Sequence, residues 1–179
     1  MSRVSVFIAA SLDGFIAGPD NDLSWLPEPD PESEDDWGFG AFMAGIGALL
    51  MGRNTWDVVA GFGVDLPYGQ RPLLVATTRP LETDQPTVRA VTGGIEACVA
   101  AAREAAGDAN VYIDGGALVR SALDAGLVDD VIVTIVPCIL GAGIPLFVGT
   151  ERRHPLELVS SVAMAQGLVQ LTYTIRQPA

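Results

Sequence analysis

Three junctions in this 179-residue chain combine glycine with side chains that can bind phosphate. They are Gly52-Arg53-Asn54-Thr55, Thr77-Thr78-Arg79 and Asp114-Gly115-Gly116-Ala117-Leu118. Glycine lets a ligand approach the backbone, a helix N-terminus offers oriented N–H groups, and arginine or hydroxyl groups complete an anion site. Each junction alone is also typical of an ordinary turn. Together they predict a site for the phosphates of a dinucleotide.

Two other phosphate-binding signatures fail in this sequence. The Gly-x-Gly-x-x-Gly pattern of dinucleotide-binding folds is broken at Gly38-Phe39-Gly40, which has Met43 in place of the third glycine. It is broken again at Gly141-Ala142-Gly143, which has Leu146 there. No Gly-Lys-Ser or Gly-Lys-Thr sequence occurs, so a Walker-type phosphate loop is not expected either.

Composition excludes several classes of protein. Ten basic residues against 22 acidic ones leave a formal charge of −12, which repels the backbone of nucleic acid. No window approaches the roughly 18 uninterrupted apolar residues that span a bilayer, and the first residues lead into a strand without a cleavable signal. We therefore expect no nucleic-acid or membrane partner, a cytoplasmic location, and one domain over residues 1–179.

Cysteine and histidine offer little chemistry here. Cys98 and Cys138 lack a CxxC spacing and a histidine cluster, so we expect neither a disulfide framework nor a metal site. The only histidine, His154, has no companion for triad chemistry and is expected in an exposed loop.

Alternating strands and helices must position the three junctions. Apolar, β-branched runs predict strands at 3–10, 48–51, 72–77, 88–91, 111–114 and 131–136. Three- and four-residue apolar spacing predicts a helix over 95–106, and a second helix is expected over 117–125. Residues 156–163 and 168–176 are typical of a closing antiparallel hairpin. The acidic, proline-rich segment 27–36 predicts an exposed loop at the rim of a cleft.

Four dispersed segments carry a resemblance to a known family. Residues 9–17, 49–56 and 111–116 resemble successive signatures of the dihydrofolate reductase superfamily. The segment 134–147 is most similar to the branch formed by the reductase domain of the bacterial riboflavin-biosynthesis deaminase-reductase. The resemblance implies a three-layer α/β fold, with a twisted, mostly parallel sheet, helices on both faces and an antiparallel C-terminal hairpin.

The same resemblance implies NADPH as the cofactor, lying across the carboxyl ends of the strands. Its expected contacts, by position, are Ala10 and Ile16 at the nicotinamide, Gly52, Arg53 and Thr55 at the phosphates, Thr77, Thr78 and Arg79 around the ribose 2′-phosphate, and Gly115, Gly116, Ala117, Leu118 and Val119 at the pyrophosphate.

Two further residues are candidates for the catalytic site. Asp36 lies sixteen residues before Gly52, the spacing that the resemblance implies for the carboxylate that binds the pterin ring in dihydrofolate reductase. Thr134 is its expected partner across the pocket. Asp36 also ends an acidic run, where a helix N-cap or a solvated carboxylate is the alternative.

These features leave three functional hypotheses. The first is hydride transfer from NADPH to a small heterocycle, of the kind reduced in riboflavin synthesis, 5-amino-6-(5-phosphoribosylamino)uracil. The deaminase zinc motif is missing, so the chain would be the reductase part alone. The second is a dihydrofolate reductase acting on dihydrofolate or another pterin, and the third is a nucleotide-binding protein without redox activity. The edge presented by residues 168–173, together with the resemblance, predicts a homodimer.

Overall fold

The computed structural model describes residues 2–28, 36–63 and 66–176. Strands and helices alternate along these ranges, and their bounds are β1 (Val4–Ser11), β2 (Phe15–Ala17), α1 (Phe39–Ala44), β3 (Ile46–Gly52), α2 (Arg53–Ala60), β4 (Leu73–Ala76), β5 (Val88–Val91), α3 (Ile95–Ala106), β6 (Asn110–Asp114), α4 (Gly116–Asp124), β7 (Asp130–Val136), β8 (Ile144–Pro145), β9 (Leu156–Ala163) and β10 (Val169–Ile175).

Eight strands form one sheet in the order β5-β4-β3-β6-β1-β7-β10-β9. The pairs from β5 to β7 are parallel, and β10 runs antiparallel to both β7 and β9. β2 and β8 pair separately as a short antiparallel ribbon. The predicted α/β fold, with a mostly parallel sheet and an antiparallel C-terminal hairpin, is therefore confirmed.

Apolar side chains pack on both faces of the central strands. Along β3, Leu49 and Met51 join a core cluster with Met43 of α1 and Trp56 of α2. Leu50 points to the opposite face, into a cluster built with α3 and α4. Because successive side chains of a strand alternate between the faces, a strand covered on both sides must be apolar throughout. This explains the uninterrupted Ile46–Met51 run and gives the fold its three layers.

The structure corrects several details of the sequence-based elements. Arg53 already lies in α2, so β3 continues directly into a helix rather than into a turn. The helix that follows Asp36 begins at Phe39 with Gly38 as its N-cap residue, and most of the acidic loop, residues 29–35, lies outside the described residues. The exposed edge is β9 rather than residues 168–173, because β10 lies between β7 and β9.

Arg71 holds α1, β3 and the start of β4 together. Its guanidinium donates hydrogen bonds to the carbonyl oxygens of Met43 at 2.8 Å, Ile46 at 2.8 Å and Tyr68 at 3.0 Å. A planar guanidinium can reach three acceptors in different directions, and lysine lacks that fork.

We predict that Arg71→Lys lowers the free energy of unfolding by about 2 kcal/mol, since partly buried carbonyls lose charge-assisted hydrogen bonds. Urea unfolding followed by circular dichroism measures the change. Arg89→Lys is the matched control, because Arg89 is exposed on β5, and its effect should stay within about 0.5 kcal/mol. Equal stability of the two variants would contradict the role given to Arg71.

Candidate functional site

A cleft of about 750 Å³ opens where the carboxyl ends of β1, β3 and β6 meet the N-termini of α2 and α4. Its lining brings together eight of the cofactor-binding residues predicted from the sequence, namely Ile16, Gly52, Arg53, Thr55, Gly115, Gly116, Ala117 and Leu118. Ligands of open α/β sheets bind outside the carboxyl ends of the strands, which is where this cleft lies. The predicted phosphate junctions at 52–55 and 114–118 therefore face the same space.

Two helices begin at the wall of the cleft without a side-chain cap. Gly52 precedes α2 and Gly115 precedes α4, and neither helix start has a hydrogen bond from a capping side chain. The first N–H groups of a helix have no partner inside the helix, and they carry the positive end of its dipole. Helix N-termini of this kind are where anions commonly bind in proteins.

Glycine is required where α4 approaches α2. Gly115 has a φ of +102°, and a Cβ built there would lie 2.5 Å from Thr55 Oγ1 and 3.6 Å from the Gly52 nitrogen. At Gly116 a Cβ would lie 2.8 Å from the Pro145 carbonyl oxygen and 3.2 Å from Ile16 Cδ1. Distances below 3.0 Å exclude a side chain, so the diglycine allows both the helix pair and the β2–β8 ribbon to close on this point. The resulting cradle of backbone donors fits the phosphates of a dinucleotide.

The third junction lies beside the cleft rather than in its lining. Thr77 Oγ1 accepts a hydrogen bond of 3.0 Å from the Arg79 N–H, which shapes the turn after β4, and Thr78 is exposed in that turn. The Arg79 side chain reaches back to α2, where Nη2 lies 3.3 Å from Asn54 Oδ1 and 3.4 Å from Asp57 Oδ2. Arg53 Nε donates to Asp57 Oδ1 at 2.7 Å. The two arginines therefore converge on Asp57 at a corner beside α2, where Arg53 lines the cleft and Arg79 lies next to it.

Two predicted cofactor contacts have their side chains in the core. Ala10 is 1% exposed and Val119 is fully buried, both in the cluster shared with α3 and α4. Ala9, one residue earlier, lines the cleft instead. Neighbouring residues of a strand face opposite sides, so Ala10 can offer only backbone atoms to a ligand.

The two catalytic residues predicted from the sequence lie outside the cleft lining. Asp36 accepts hydrogen bonds from the Gly38 and Gly40 N–H groups, at 3.0 and 2.6 Å, beside the start of α1. Thr134 is buried, and its Oγ1 accepts from Gln170 Nε2 at 3.1 Å. The same Gln170 nitrogen lies 2.9 Å from the Trp37 carbonyl oxygen, so Gln170 connects the two regions. The pterin-binding role of Asp36 stays a prediction, and its observed contacts are those of a cap.

Asp114 is a candidate that our sequence-based site omitted, although it precedes the diglycine. Among the described residues it is the only carboxylate that lines the cleft. Burial in the centre of the sheet raises its pKa from 3.8 to about 6, and the hydrogen bond from the Gly115 N–H, 2.7 Å from Oδ1, offsets this only in part. Desolvation depends on tertiary packing, so the sequence gives no direct signal of it beyond the position of an acid at a strand end.

Arg120 was also missed by the sequence analysis. It lies one turn into α4, lines the cleft, and donates from Nη1 to the Pro145 carbonyl oxygen at 2.6 Å. In the described part of the chain no carboxylate lies within ion-pair distance of it, so its charge is compensated only by backbone carbonyls. The sequence did offer a signal for Arg120, because it follows Gly116 by four residues, and residues four apart lie on the same face of a helix.

His154 is not exposed as expected. Its side chain is 12% exposed, and Nε2 lies 2.9 Å from Asp124 Oδ1 at the end of α4. The pKa of Asp124 is lowered, mainly by the hydrogen bond from the Glu151 N–H and further by His154. The pair attaches the segment before β9 to α4 and lies outside the cleft lining.

Over residues 2–28, 36–63 and 66–176, no helix has the length and apolarity needed to cross a membrane. The same ranges contain no group of three or more histidine, cysteine or acidic side chains that could hold a metal ion. Cys98 is buried and Cys138 is half-buried, and both are free thiols.

Comparisons with known proteins find one family and a consistent set of relatives. The RibD C-terminal domain family matches residues 2–170. The Bacillus subtilis protein named uncharacterized protein YwjB is 34% identical over 97% of this chain and 98% of its own length. These matches confirm the resemblance drawn from the motifs.

Solved structures agree with the family match. A putative riboflavin biosynthesis protein from Shewanella sp. PV-4 superposes with a TM-score of 0.87 at 36% identity, covering 98% of this chain and 99% of that one. A diaminohydroxyphosphoribosylaminopyrimidine deaminase/5-amino-6-(5-phosphoribosylamino)uracil reductase from Thermotoga maritima superposes with a TM-score of 0.69 at 15% identity. The chain covers 57% of that longer protein, a likeness that shows the fold.

We predict that Asp114→Asn stabilises the protein at pH 7.5 and has almost no effect at pH 4. A raised pKa means that the folded state holds the proton more tightly, so stability falls as pH rises from about 4 through about 6. The full shift corresponds to about 3 kcal/mol, and contact of Asp114 with the open cleft reduces the expected gain to about 1–2 kcal/mol.

Urea unfolding of both proteins at several pH values measures this difference. Asparagine keeps the acceptor for the Gly115 N–H, so the substitution removes mainly the charge. Asp108→Asn, at an exposed position before β6, is the control for a change in net charge. A gain that is the same at pH 4 and pH 7.5 would contradict the buried-carboxyl explanation.

Proposed function

Because this chain belongs to the RibD C-terminal domain family, we propose that it is an NADPH-dependent reductase of a small heterocyclic substrate. One observation carries the proposal. The two uncapped helix N-termini and the cationic side chains of Arg53 and Arg120 meet at one cleft, which also contains Asp114. Donors for an anionic cofactor and a carboxyl for proton transfer are thus close together in one site.

The cofactor would be held mainly by backbone donors. The first turns of α2 and α4, with Gly52, Thr55 and Gly115 between them, supply N–H and hydroxyl groups for the pyrophosphate. Arg53 and Arg79, at the corner beside α2, supply guanidinium groups for the 2′-phosphate. When bound, NADPH supplies the hydride equivalent, and the protein contributes orientation and electrostatics.

Asp114 is proposed to move the proton. A pKa of about 6 keeps roughly a tenth of this carboxyl protonated at pH 7, where an ordinary aspartate is almost fully ionised. Its place at the carboxyl end of β6 puts the acid in the cleft, while Asp36 uses both of its oxygens to accept backbone N–H groups. Asp114 is therefore the better supported acid.

The substrate proposed is a pyrimidine of the riboflavin type, 5-amino-6-(5-phosphoribosylamino)uracil or a close analogue. The names of the Shewanella and Thermotoga proteins support this choice, since both refer to riboflavin biosynthesis or to that reductase. The sequence matches the reductase part of the longer Thermotoga protein, and no deaminase zinc motif occurs in it. A cytoplasmic location stays a prediction.

We further propose that two copies associate through β9. Every residue of this terminal strand is exposed, and its main contacts in the described chain are with β10. β9 exposes large apolar side chains, among them Leu158 and Val159. A strand with free hydrogen-bonding groups and apolar side chains is stabilised by pairing with a second copy.

We predict that NADPH binds with measurable affinity and that Arg79→Ala weakens it by roughly tenfold or more, about 1.4 kcal/mol. The affinity for NADH should change by less than about twofold, since NADH lacks the 2′-phosphate that Arg79 is proposed to bind. Isothermal titration calorimetry measures all four combinations. Arg89→Ala is the matched control, at an exposed arginine on β5. Failure of the wild type to bind either nucleotide would remove the reductase proposal.

For the dimer, we predict that light scattering at micromolar concentration gives the mass of two chains and that Val159→Asp gives the mass of one. Val159 is 62% exposed, so a charge there does not disturb the core but would have to be buried in the interface. Val148→Asp is the matched control, because Val148 is 74% exposed and lies outside β9. A single-chain mass for the wild type would contradict the proposal.

A further inference from the structure

Asp57 lies at the corner beside α2, next to the cleft, where the two arginines converge. It lies one turn after Arg53 on α2, and its side chain is 44% exposed. Its two oxygens are used separately, Oδ1 by Arg53 Nε at 2.7 Å and Oδ2 by Arg79 Nη2 at 3.4 Å. Both guanidinium groups assigned to the 2′-phosphate therefore already face a carboxylate of the protein.

Neither arginine depends on Asp57 alone for its position. Arg53 Nη1 donates to the Pro80 carbonyl oxygen at 2.8 Å, which fixes this side chain against the turn after β4. Arg79 Nη2 is shared with Asn54 Oδ1 at 3.3 Å. These contacts would remain if the charge of Asp57 were removed, so the main contribution of Asp57 is electrostatic rather than structural.

The charge of this corner bears on which cofactor it favours. The formal charges of two guanidinium groups and one carboxylate sum to +1, whereas the two arginines alone would carry +2. A phosphate monoester carries a charge of about −1.5 to −2 at neutral pH and is repelled by a nearby carboxylate. A ribose hydroxyl has no charge and can donate a hydrogen bond to a carboxylate, as the acidic residue does in NAD-binding folds.

We propose that Asp57 limits the preference of this chain for NADPH over NADH, because it occupies the arginine pair as an internal anion that competes with the 2′-phosphate. The inference rests on the proposed function, because it takes the arginine pair as the site of the 2′-phosphate. Asp57 acts through the two arginines and through its charge on the phosphate, so it is a specificity-determining residue rather than a catalytic one.

Isothermal titration calorimetry of wild type and Asp57→Asn with NADPH and with NADH tests the proposal. Asparagine keeps the shape and one acceptor oxygen, so the variant removes the charge with little change in packing. NADPH should bind roughly fivefold or more tightly to the variant, and NADH should bind equally or more weakly. The NADPH gain should shrink as salt is raised from about 0.05 to 0.5 M, because the corner is largely exposed.

Asp108→Asn is the control, because it removes one negative charge before β6, at the opposite edge of the sheet from the cleft. NADPH affinity that is unchanged or weaker in Asp57→Asn, with wild-type binding intact, overturns the inference and leaves the proposed function standing. An equal gain in Asp108→Asn also overturns it, since the effect would then belong to the net charge. Absence of any nucleotide binding to the wild type overturns both, and the thermal melting temperature of each variant verifies that it is folded.

Discussion

A side chain at position 115 would collide with α2, because its Cβ would lie 2.5 Å from Thr55 Oγ1. The glycine there lets β6 turn directly into α4 and brings two helix N-termini to one point. Packing on both faces of the sheet holds those helices in place, since α2 contributes Trp56 to one core cluster and α4 contributes Val119 to the other. The cleft, its backbone donors and the position of Asp114 all follow from this single close approach.

Charge in this acidic chain is distributed unevenly. It has ten arginines and no lysine, and several arginines serve the backbone rather than carboxylates. Arg71 binds three carbonyl oxygens, and Arg120 contacts the carbonyl oxygens of Pro145 and Leu146. A guanidinium is less strongly hydrated than an ammonium group and can satisfy several acceptors at once. The few cations of the cleft are thus part of the scaffold as well as of the anion site.

The strands and helices, and many of the residues that line the cleft, could be predicted from the sequence because they depend on local patterns. Apolar runs and glycine pairs marked β1, β6 and the start of α4 within a few residues. Properties that arise from packing could not be predicted: the raised pKa of Asp114 comes from burial, and the placement of Ala9 rather than Ala10 in the cleft comes from strand register. Asp57 belongs to no recognised motif, and the role proposed for it depends on its contact with Arg79, 22 residues later in the chain.

The position of β1 has a consequence for synthesis on the ribosome. β1 is made well before its partners, because it pairs with β6 on one side and β7 on the other, and these emerge only after residues 110–136 are translated. Until then its apolar side chains have no sheet to join. Non-local pairing of this kind slows folding and leaves surface open to aggregation. Nascent chains that end before about residue 136 are therefore expected to need chaperone protection, and the C-terminal hairpin completes the sheet last.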